Sequence, residues 1–310
     1  IGSNLAEKLL NEKYEVIGID CFTDYYSKKI KLKNLKNLMN NKEFNFIEDD
    51  LVSMNFDSIF KEDAVLFHQA GQPGVRASWG EQFETYVKDN ILVTQRILES
   101  AKKMNNLKKI VMASSSSIYG NQEGVMEENS TLPKTISPYG ATKLASENLG
   151  YLYYENFGLP ITSLRYFTVY GPKQRPDMAF FKFIMANLSE QKIVLFGDGS
   201  QKRDFTFISD IVEANIKTLE NNVEGEILNV GGGSVRSINE VLDIISSETG
   251  KKNKITFKNK EKGDVHKTEA DVKEIEKKLN FKPKILLEEG LPLEIEWLEK
   301  IKNEYQEILK

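Results

Sequence analysis

Lys109-Ile110-Val111-Met112-Ala113 runs directly into Ser114-Ser115-Ser116-Ser117-Ile118-Tyr119-Gly120, and Ser137-Pro138-Tyr139-Gly140-Ala141-Thr142-Lys143 follows. The first five residues read as a short buried strand, because a brief apolar run with β-branched members suits a strand covered on both faces. Hydroxyls at its carboxyl end stand where open α/β sheets bind ligands. Taken alone, the serine run reads as a turn. The second stretch opens a helix, with Ser137 suited to the N-cap and Pro138 to the first helical position. One helical turn then puts the Tyr139 phenol and the Lys143 ammonium on the same face. A phenol ionises near 10, so work as a base near neutrality needs its pKa lowered by about 3, worth ~4 kcal/mol. Neighbouring cations, Lys143 among them, favour the phenolate. Tyr-x-x-x-Lys alone is a common match, but strand, hydroxyl cluster and Tyr/Lys helix in this order are not.

Outward from this pair of segments the chain alternates between helices and strands. A helix from about Ser3, strands at Tyr14, Phe44, Ala64 and Lys109, long helices near Gln82 to Lys103 and Pro138 to Asn156, and a strand at Ile161 to Arg165 predict an α/β fold with a parallel, doubly wound sheet. After Arg165 the pattern loosens, since Gly171-Pro172 and Arg175-Pro176 interrupt regular structure. A second, smaller α+β domain is expected from there. Gly231-Gly232-Gly233 precedes Ser237-Ile238-Asn239-Glu240, a capping box, so these glycines read as backbone geometry and not as a dinucleotide loop. The Lys/Glu-rich end, Glu288 to Lys310, reads as a surface helix.

Composition bounds the function. A chain of 310 residues buries roughly three quarters of its unfolded surface, enough for one large α/β domain and a smaller companion. No apolar run exceeds four residues, so no membrane span is expected. The single cysteine, Cys21, excludes a disulfide framework and a cysteine-rich zinc site and suits a reducing, cytoplasmic location. His68 and His266 are the only histidines, so a histidine triad or metal cluster is not expected, and His68 reads as a loop residue. A net charge of −4 gives no pull toward nucleic acid. The lysine run Lys28-Lys29-Ile30-Lys31-Leu32-Lys33 reads as a solvated amphipathic helix.

Five further motifs join the first two: His68-Gln69-Ala70-Gly71-Gln72-Pro73-Gly74-Val75-Arg76, Leu164-Arg165-Tyr166-Phe167-Thr168-Val169-Tyr170-Gly171-Pro172, Arg175-Pro176-Asp177-Met178, Arg203-Asp204-Phe205 and Gly263-Asp264-Val265. Together they cover nearly the whole chain, which resembles the nucleotide-sugar epimerase family of extended short-chain dehydrogenases/reductases. The resemblance implies a Rossmann-like NAD-binding domain over 1–165, to which about 203–230 returns, and a nucleotide-sugar domain over most of 166–310. It implies that Tyr139 is the general base and that Lys143 lowers its pKa and holds the nicotinamide ribose. Ser115, four residues before Tyr119, would bind the reacting hydroxyl. Gly2, Asp20, Asp50, Leu51, Ala70, Gly71, Asn90 and Tyr166 would join Tyr139 and Lys143 around NAD. Asp20 also reads from spacing alone. It closes a β-rich run eighteen residues past Gly2, where an acid bonds the adenosine ribose and repels a 2′-phosphate, favouring NAD over NADP; a plain turn former is the alternative. The family opens with a strand and a Gly-x-x-Gly-x-x-Gly turn, of which only Gly2 stands here. The chain is therefore expected to be N-terminally truncated by roughly ten residues, to lack the first, central strand, and to bind cofactor weakly as written.

What the resemblance implies chemically is a temporary oxidation: Tyr139 takes the proton of a sugar C4 hydroxyl, a 4-keto sugar forms, turns over and is reduced on its other face. Dehydratases and decarboxylases of the family place acids where Ser116 and Ser117 stand, so both reactions would lack their general acid. Hexose-type members carry Asn at the position of Thr168 and arginines where this chain has Lys260-Glu261-Lys262. Thr168 with Arg175 or Lys182 suits a C5 carboxylate, which favours UDP-glucuronate over UDP-glucose or UDP-N-acetylglucosamine. Arg203 would bind the diphosphate, and Asp264 would also contact the nucleotide sugar. A homodimer through two helices is the expected assembly, and an inactive NAD-binding scaffold is the rival reading.

Overall fold

The computed structural model describes residues 1–56, 59, 63–104, 106–259 and 263–309. The first half runs α1 (Gly2–Asn11), β1 (Val16–Ile19), α2 (Lys28–Leu35), β2 (Phe44–Ile47), β3 (Val65–His68), α3 (Phe83–Tyr86), α4 (Val93–Ala101), β4 (Lys109–Ser115), α5 (Pro138–Phe157) and β5 (Ile161–Tyr166). The second runs β6 (Thr168–Tyr170), α6 (Ala179–Leu188), β7 (Lys192–Phe196), β8 (Lys202–Phe207), α7 (Ile208–Glu220), β9 (Ile227–Val230), β10 (Ser234–Ser237), α8 (Ile238–Thr249), β11 (Lys254–Lys258), α9 (Lys273–Leu279) and α10 (Leu287–Ile308).

Strand β4 organises the larger unit. Parallel pairing gives the order β3-β4-β5-β9, with Val111 opposite Phe67 and Thr162, and Ser115 opposite Tyr166. Side chains alternate across a strand, so Ile110 and Met112 pack with Leu98, Ala101 and Tyr153 from α4 and α5, while Val111 packs with Ile211 and Ala214 from α7. Helices therefore cover both faces, which is the doubly wound arrangement expected. β1 and β2 form a separate parallel pair, and no described strand bridges β1 and β3. The cleft passes between these two sheets.

The smaller unit is built on aromatic residues. Tyr170, Phe180, Phe205 and Phe207 meet at ring-centroid distances of 4.7 to 6.3 Å, and the strands order as β10-β8-β6 beside the β11-β7 pair. The Ser237/Glu240 capping box starts α8 as the sequence predicts. Gly232 answers to backbone approach, because an added Cβ would lie 1.9 Å from the Phe205 carbonyl oxygen.

Four expectations need revision. The return to the main sheet is made by α7 and β9, whereas residues 203–207 lie in β8, paired with β6 and β10. The helix expected near Gln82 to Lys103 is interrupted by a π turn at Val87–Leu92, a feature frequent at functional sites. The terminal helix is no mere surface helix, since α10 buries Leu287, Leu291, Ile295 and Leu298 on one face. In the lysine run, Lys31 is buried and donates to the Thr23 carbonyl at 2.6 Å, while Lys28 pairs with Glu48. Lys260, Glu261 and Lys262, read for sugar preference, lie outside the described residues.

Candidate active site

A cavity of about 1120 Å³ runs between β1 and β3 and opens at the carboxyl ends of β1, β3, β4 and β5. The start of α5 presses against its floor. Ser137 caps the helix, its Oγ accepting from the Gly140 amide at 3.1 Å. Gly140 is required there, because a Cβ would lie 2.5 Å from the Ser117 carbonyl oxygen. That close approach sets Tyr139 beside the strand end. Ser115 Oγ accepts from the Ser117 amide at 3.2 Å, and the Ser115 hydroxyl favours the ionised form of the Tyr139 phenol. Tyr86 meets the Tyr139 ring edge-on, with centroids 6.2 Å apart.

Lys143, which lines the same cleft, donates to the Ala113 carbonyl at 2.9 Å. Burial raises the phenol above its ordinary value, and the Ser115 hydroxyl and the Arg175 charge pull it back only in part. Burial also brings the Lys143 ammonium down to about 8. The cleft by itself thus keeps Tyr139 protonated, with a cation close by that survives only below about 8.

The cofactor candidates sort into those that face the cleft and those that support it. Gly2, Asp20, Asp50, Leu51, Ala70, Gly71 and Tyr166 all line the cavity. Asp20 acts as a turn former, one oxygen accepting from the Phe22 amide at 2.7 Å, and also lines the wall. The Asp50 carboxylate is engaged by Lys88 at 2.8 Å and by the Val52 amide at 3.0 Å. The Tyr166 hydroxyl is committed to Asn215 Oδ1 at 2.9 Å and to Gln69, so only its ring is free to contact a ligand. Asn90, expected beside the cofactor, is buried behind the wall. It accepts from the Gln72 amide at 2.7 Å and donates to the Gln72 carbonyl at 3.1 Å and to Thr142 Oγ1 at 2.9 Å, tying the Ala70–Gly71 loop to α5. An added Cβ on Gly71 would meet Asn90 Oδ1 at 2.7 Å and Lys143 Nζ at 3.4 Å, so the loop tolerates nothing larger.

His68 supports the wall as well. Thr94 Oγ1 gives its one proton to the Asn90 carbonyl at 2.6 Å, so it accepts from His68 Nε2 at 2.9 Å, which fixes the Nε2–H tautomer. Burial, reinforced by Lys143, lowers this imidazole to about 3. A neutral His68 is a packing residue. Helix α1 begins at Gly2 beside the cleft, and a helix N-terminus suits a phosphate.

On the far side of the cleft stand Thr168, Arg175, Arg203 and Asp264. Lys182 does not join them; it is exposed on α6 and does not line the cavity. Asp264 is gripped by Arg76 at 2.7 and 3.4 Å, and the Arg76 guanidinium lies 4.3 Å from the centre of the Phe196 ring. Arg203 is lowered chiefly by burial, with Asp264 acting against that and the Arg76 charge adding to it. Among the described residues Asp264 pairs with Arg76 alone, while Arg203 donates to the Lys202 and His266 carbonyls at 2.8 and 3.4 Å, so two guanidiniums face one carboxylate and the mouth favours an anion. Sequence reasoning assigned no role to Arg76, Tyr25, Tyr86 or Asp177. A strand-end position after β1 or β3 was the one available signal for Tyr25 and Arg76. Among the described residues no group of three or more His, Cys, Asp or Glu is placed to hold a metal.

A phenol and a strand-end hydroxyl in one cleft, a lysine one turn later and the carboxyl edge of a doubly wound sheet define a short-chain dehydrogenase/reductase type of enzyme. The chain belongs to the NAD dependent epimerase/dehydratase family, whose sequence model matches residues 1–231. It is 42% identical over 300 residues to the uncharacterized UDP-glucose epimerase YtcB of Bacillus subtilis (strain 168), covering 96% of this chain and 94% of that protein. It is 40% identical over 301 residues to UDP-glucuronate 4-epimerase of Thermodesulfobacterium geofontis (strain OPF15), covering 96% and 92%. The fold superimposes with a TM-score of 0.93, at 39% identity and 97% and 96% coverage, on UDP-glucuronic acid 4-epimerase from Bacillus cereus in complex with UDP-glucuronic acid and NAD.

Proposed function

We propose that this chain is an NAD-dependent isomerase that interconverts UDP-glucuronate and its C4 epimer, UDP-galacturonate. The observation that carries the reading is that Ser115 at the end of β4, Tyr139, Lys143 and Arg175 all line one cleft. Ser115 would orient the C4 hydroxyl, and Tyr139 Oη would receive its proton and return it after the sugar turns over. Bound NAD supplies a reversible hydride acceptor and a positive ring. The α1 amides near Gly2 suit its diphosphate, Asp20 the adenosine ribose, Asp50 and Leu51 the adenine end, and Ala70 and Gly71 the wall beside it. Lys143 and the Tyr166 ring would flank the nicotinamide end, and Asn90 acts through the loop it ties down. The domain division near residue 165 follows this sharing of roles, with Arg203 and Asp264 taking the nucleotide diphosphate from the second unit.

Arg175 with Thr168 favours the carboxylated sugar over UDP-glucose or UDP-N-acetylglucosamine. A hydrogen bond between charged groups contributes ~1.5–3 kcal/mol, so Arg175→Ala is expected to reduce the kcat/KM ratio of UDP-glucuronate to UDP-glucose by about tenfold or more. Incubation of the NAD-loaded enzyme with the three UDP-sugars, with 4-epimers resolved by chromatography, supplies the measurement. An unaltered ratio removes the carboxylate assignment, and no epimer from any of them favours the inactive NAD-binding scaffold.

A cytoplasmic homodimer is the assembly this reading carries. No helix among the described residues is long and apolar enough to cross a membrane. The outer surfaces of α3, the π turn and α5 expose Phe83, Val87, Tyr151 and Leu152, an apolar content suited to helix-on-helix burial. Sedimentation equilibrium is expected to give twice the chain mass, and Tyr151→Lys to shift it toward one; a wild-type protein that stays monomeric at tens of micromolar rejects the assembly.

A further inference from the structure

Arg175 does not stand unengaged in the cleft wall. Its Nε lies 3.2 Å from Asp177 Oδ1 and its Nη2 lies 3.2 Å from Asp177 Oδ2, so the carboxylate meets the guanidinium edge with both oxygens. A sugar carboxylate would use the same two-pronged approach. The contacts are longer than the roughly 2.7–2.9 Å of a tight charge-assisted pair, and the side chains remain 27% and 28% exposed. Tyr25 reaches across from the loop after β1. Its hydroxyl donates to Asp177 Oδ2 at 3.2 Å, and its ring centre lies 5.7 Å from the Arg175 guanidinium carbon. Asp177 Oδ1 is shielded from solvent and has no hydrogen-bond partner among the described residues beyond its ionic contact with Arg175.

We propose that Asp177 is a specificity-determining residue: an internal carboxylate that competes with the substrate's carboxylate for Arg175 and so limits the preference for acidic over neutral nucleotide sugars. The inference rests on the reading of Arg175 as the carboxylate's partner. An arriving sugar carboxylate must displace Asp177 or share one cation with it at a like-charge cost. A neutral sugar meets neither penalty. Partly exposed ion pairs contribute little, so the competition is worth severalfold in affinity and not thousands. Tyr25 helps to hold Asp177 against Arg175 by a single hydrogen bond, so its loss loosens the competitor without removing its charge.

The test measures kcat and KM for UDP-glucuronate and UDP-glucose in the NAD-loaded holoenzyme carrying Asp177→Asn, Tyr25→Phe or Arg175→Ala. Asparagine keeps the shape of the side chain and removes its charge. KM for UDP-glucuronate is expected to fall about fivefold in Asp177→Asn, with the preference ratio rising by the same factor. Tyr25→Phe is expected to move the ratio the same way by less. If Asp177→Asn leaves the ratio unchanged or lowers it while Arg175→Ala still cuts it, the competitor role is overturned and the Arg175 reading stands. A ratio untouched by Arg175→Ala overturns that reading and this inference together. Should Asp177→Asn fail to fold in a thermal melt, Tyr25→Phe decides alone, and a ratio that stays level or falls counts against the proposal.

Discussion

Tyr139→Phe is expected to lower kcat on the nucleotide sugar by about 10³-fold, in the middle of the range for a lost general base, while KM changes little. Only the hydroxyl is removed. The edge contact with Tyr86, the Ser137 cap and the close seat of Gly140 on the Ser117 carbonyl do not involve that oxygen, so the fold and the cleft persist. The size of the effect follows from what the phenol does in the absence of ligand. Burial raises its pKa, and Ser115 and Arg175 recover part of that, so at neutral pH the protonated form dominates. The lysine one turn later bonds to the Ala113 carbonyl. Oxidised NAD, when bound, would supply further positive charge favouring the phenolate, and phenylalanine has no oxygen to ionise. Single-turnover kinetics with the NAD-loaded protein decide the matter: kcat within tenfold of the wild type would remove Tyr139 as the base.

Tyr139, Lys143 and Ser115 were legible because each depends on local geometry. A helical turn fixes the first two, and the end of a buried strand marks the serine cluster within which the family resemblance singles out the third. What the sequence concealed lies in pairs distant along the chain. Tyr25 meets Asp177 across 152 positions and Arg76 meets Asp264 across 188, separations over which no periodicity speaks. The three bonds of Asn90 into the Gln72 segment and α5 were hidden for a related reason, because they join residues 18 and 52 positions apart. Lys182 read as a site residue from its nearness to Arg175, yet α6 carries it to the solvent side. In α10 the abundant Lys and Glu masked the spacing of Leu287, Leu291, Ile295 and Leu298, four apolar positions on one stripe. That helix also buries Glu294, whose Oε2 accepts from the Gly171 amide at 2.8 Å and whose carboxyl burial raises well above the usual range. A charged letter in a helix read as surface is there a buried anchor for the turn leading to Arg175.

Glu147→Ala is expected to destabilise the protein by ~3–5 kcal/mol, the cost of leaving one member of a buried ion pair alone. Glu147 and Arg165 are 1% and 4% exposed, with Oε1 to Nη2 at 2.7 Å and Oε2 accepting from Nε at 3.0 Å and from Ser114 Oγ at 2.7 Å. Arg165 Nη1 also donates to the Tyr119 hydroxyl at 2.6 Å, which in turn donates to Asn229 Oδ1 at 2.8 Å. The network thus joins β4, α5, β5 and β9. Its members immediately precede the two residues that face the cleft in register, Ser115 and Tyr166. Removing the carboxylate strands a guanidinium that water cannot reach, whereas Glu147→Leu with Arg165→Met removes both charges and is expected to cost less than either single change. Urea midpoints of the two singles and the double measure the coupling. A Glu147→Ala loss below about 1 kcal/mol would mean that the pair is solvated in solution. A double variant worse than both singles would mean that hydrogen bonding to Ser114 and Tyr119, and not charge pairing, holds the strand ends in place. If the pair does brace them, kcat falls in the singles alongside stability and recovers in part in the double, because Ser115 regains its position against Tyr139 once no unpaired charge remains beneath it.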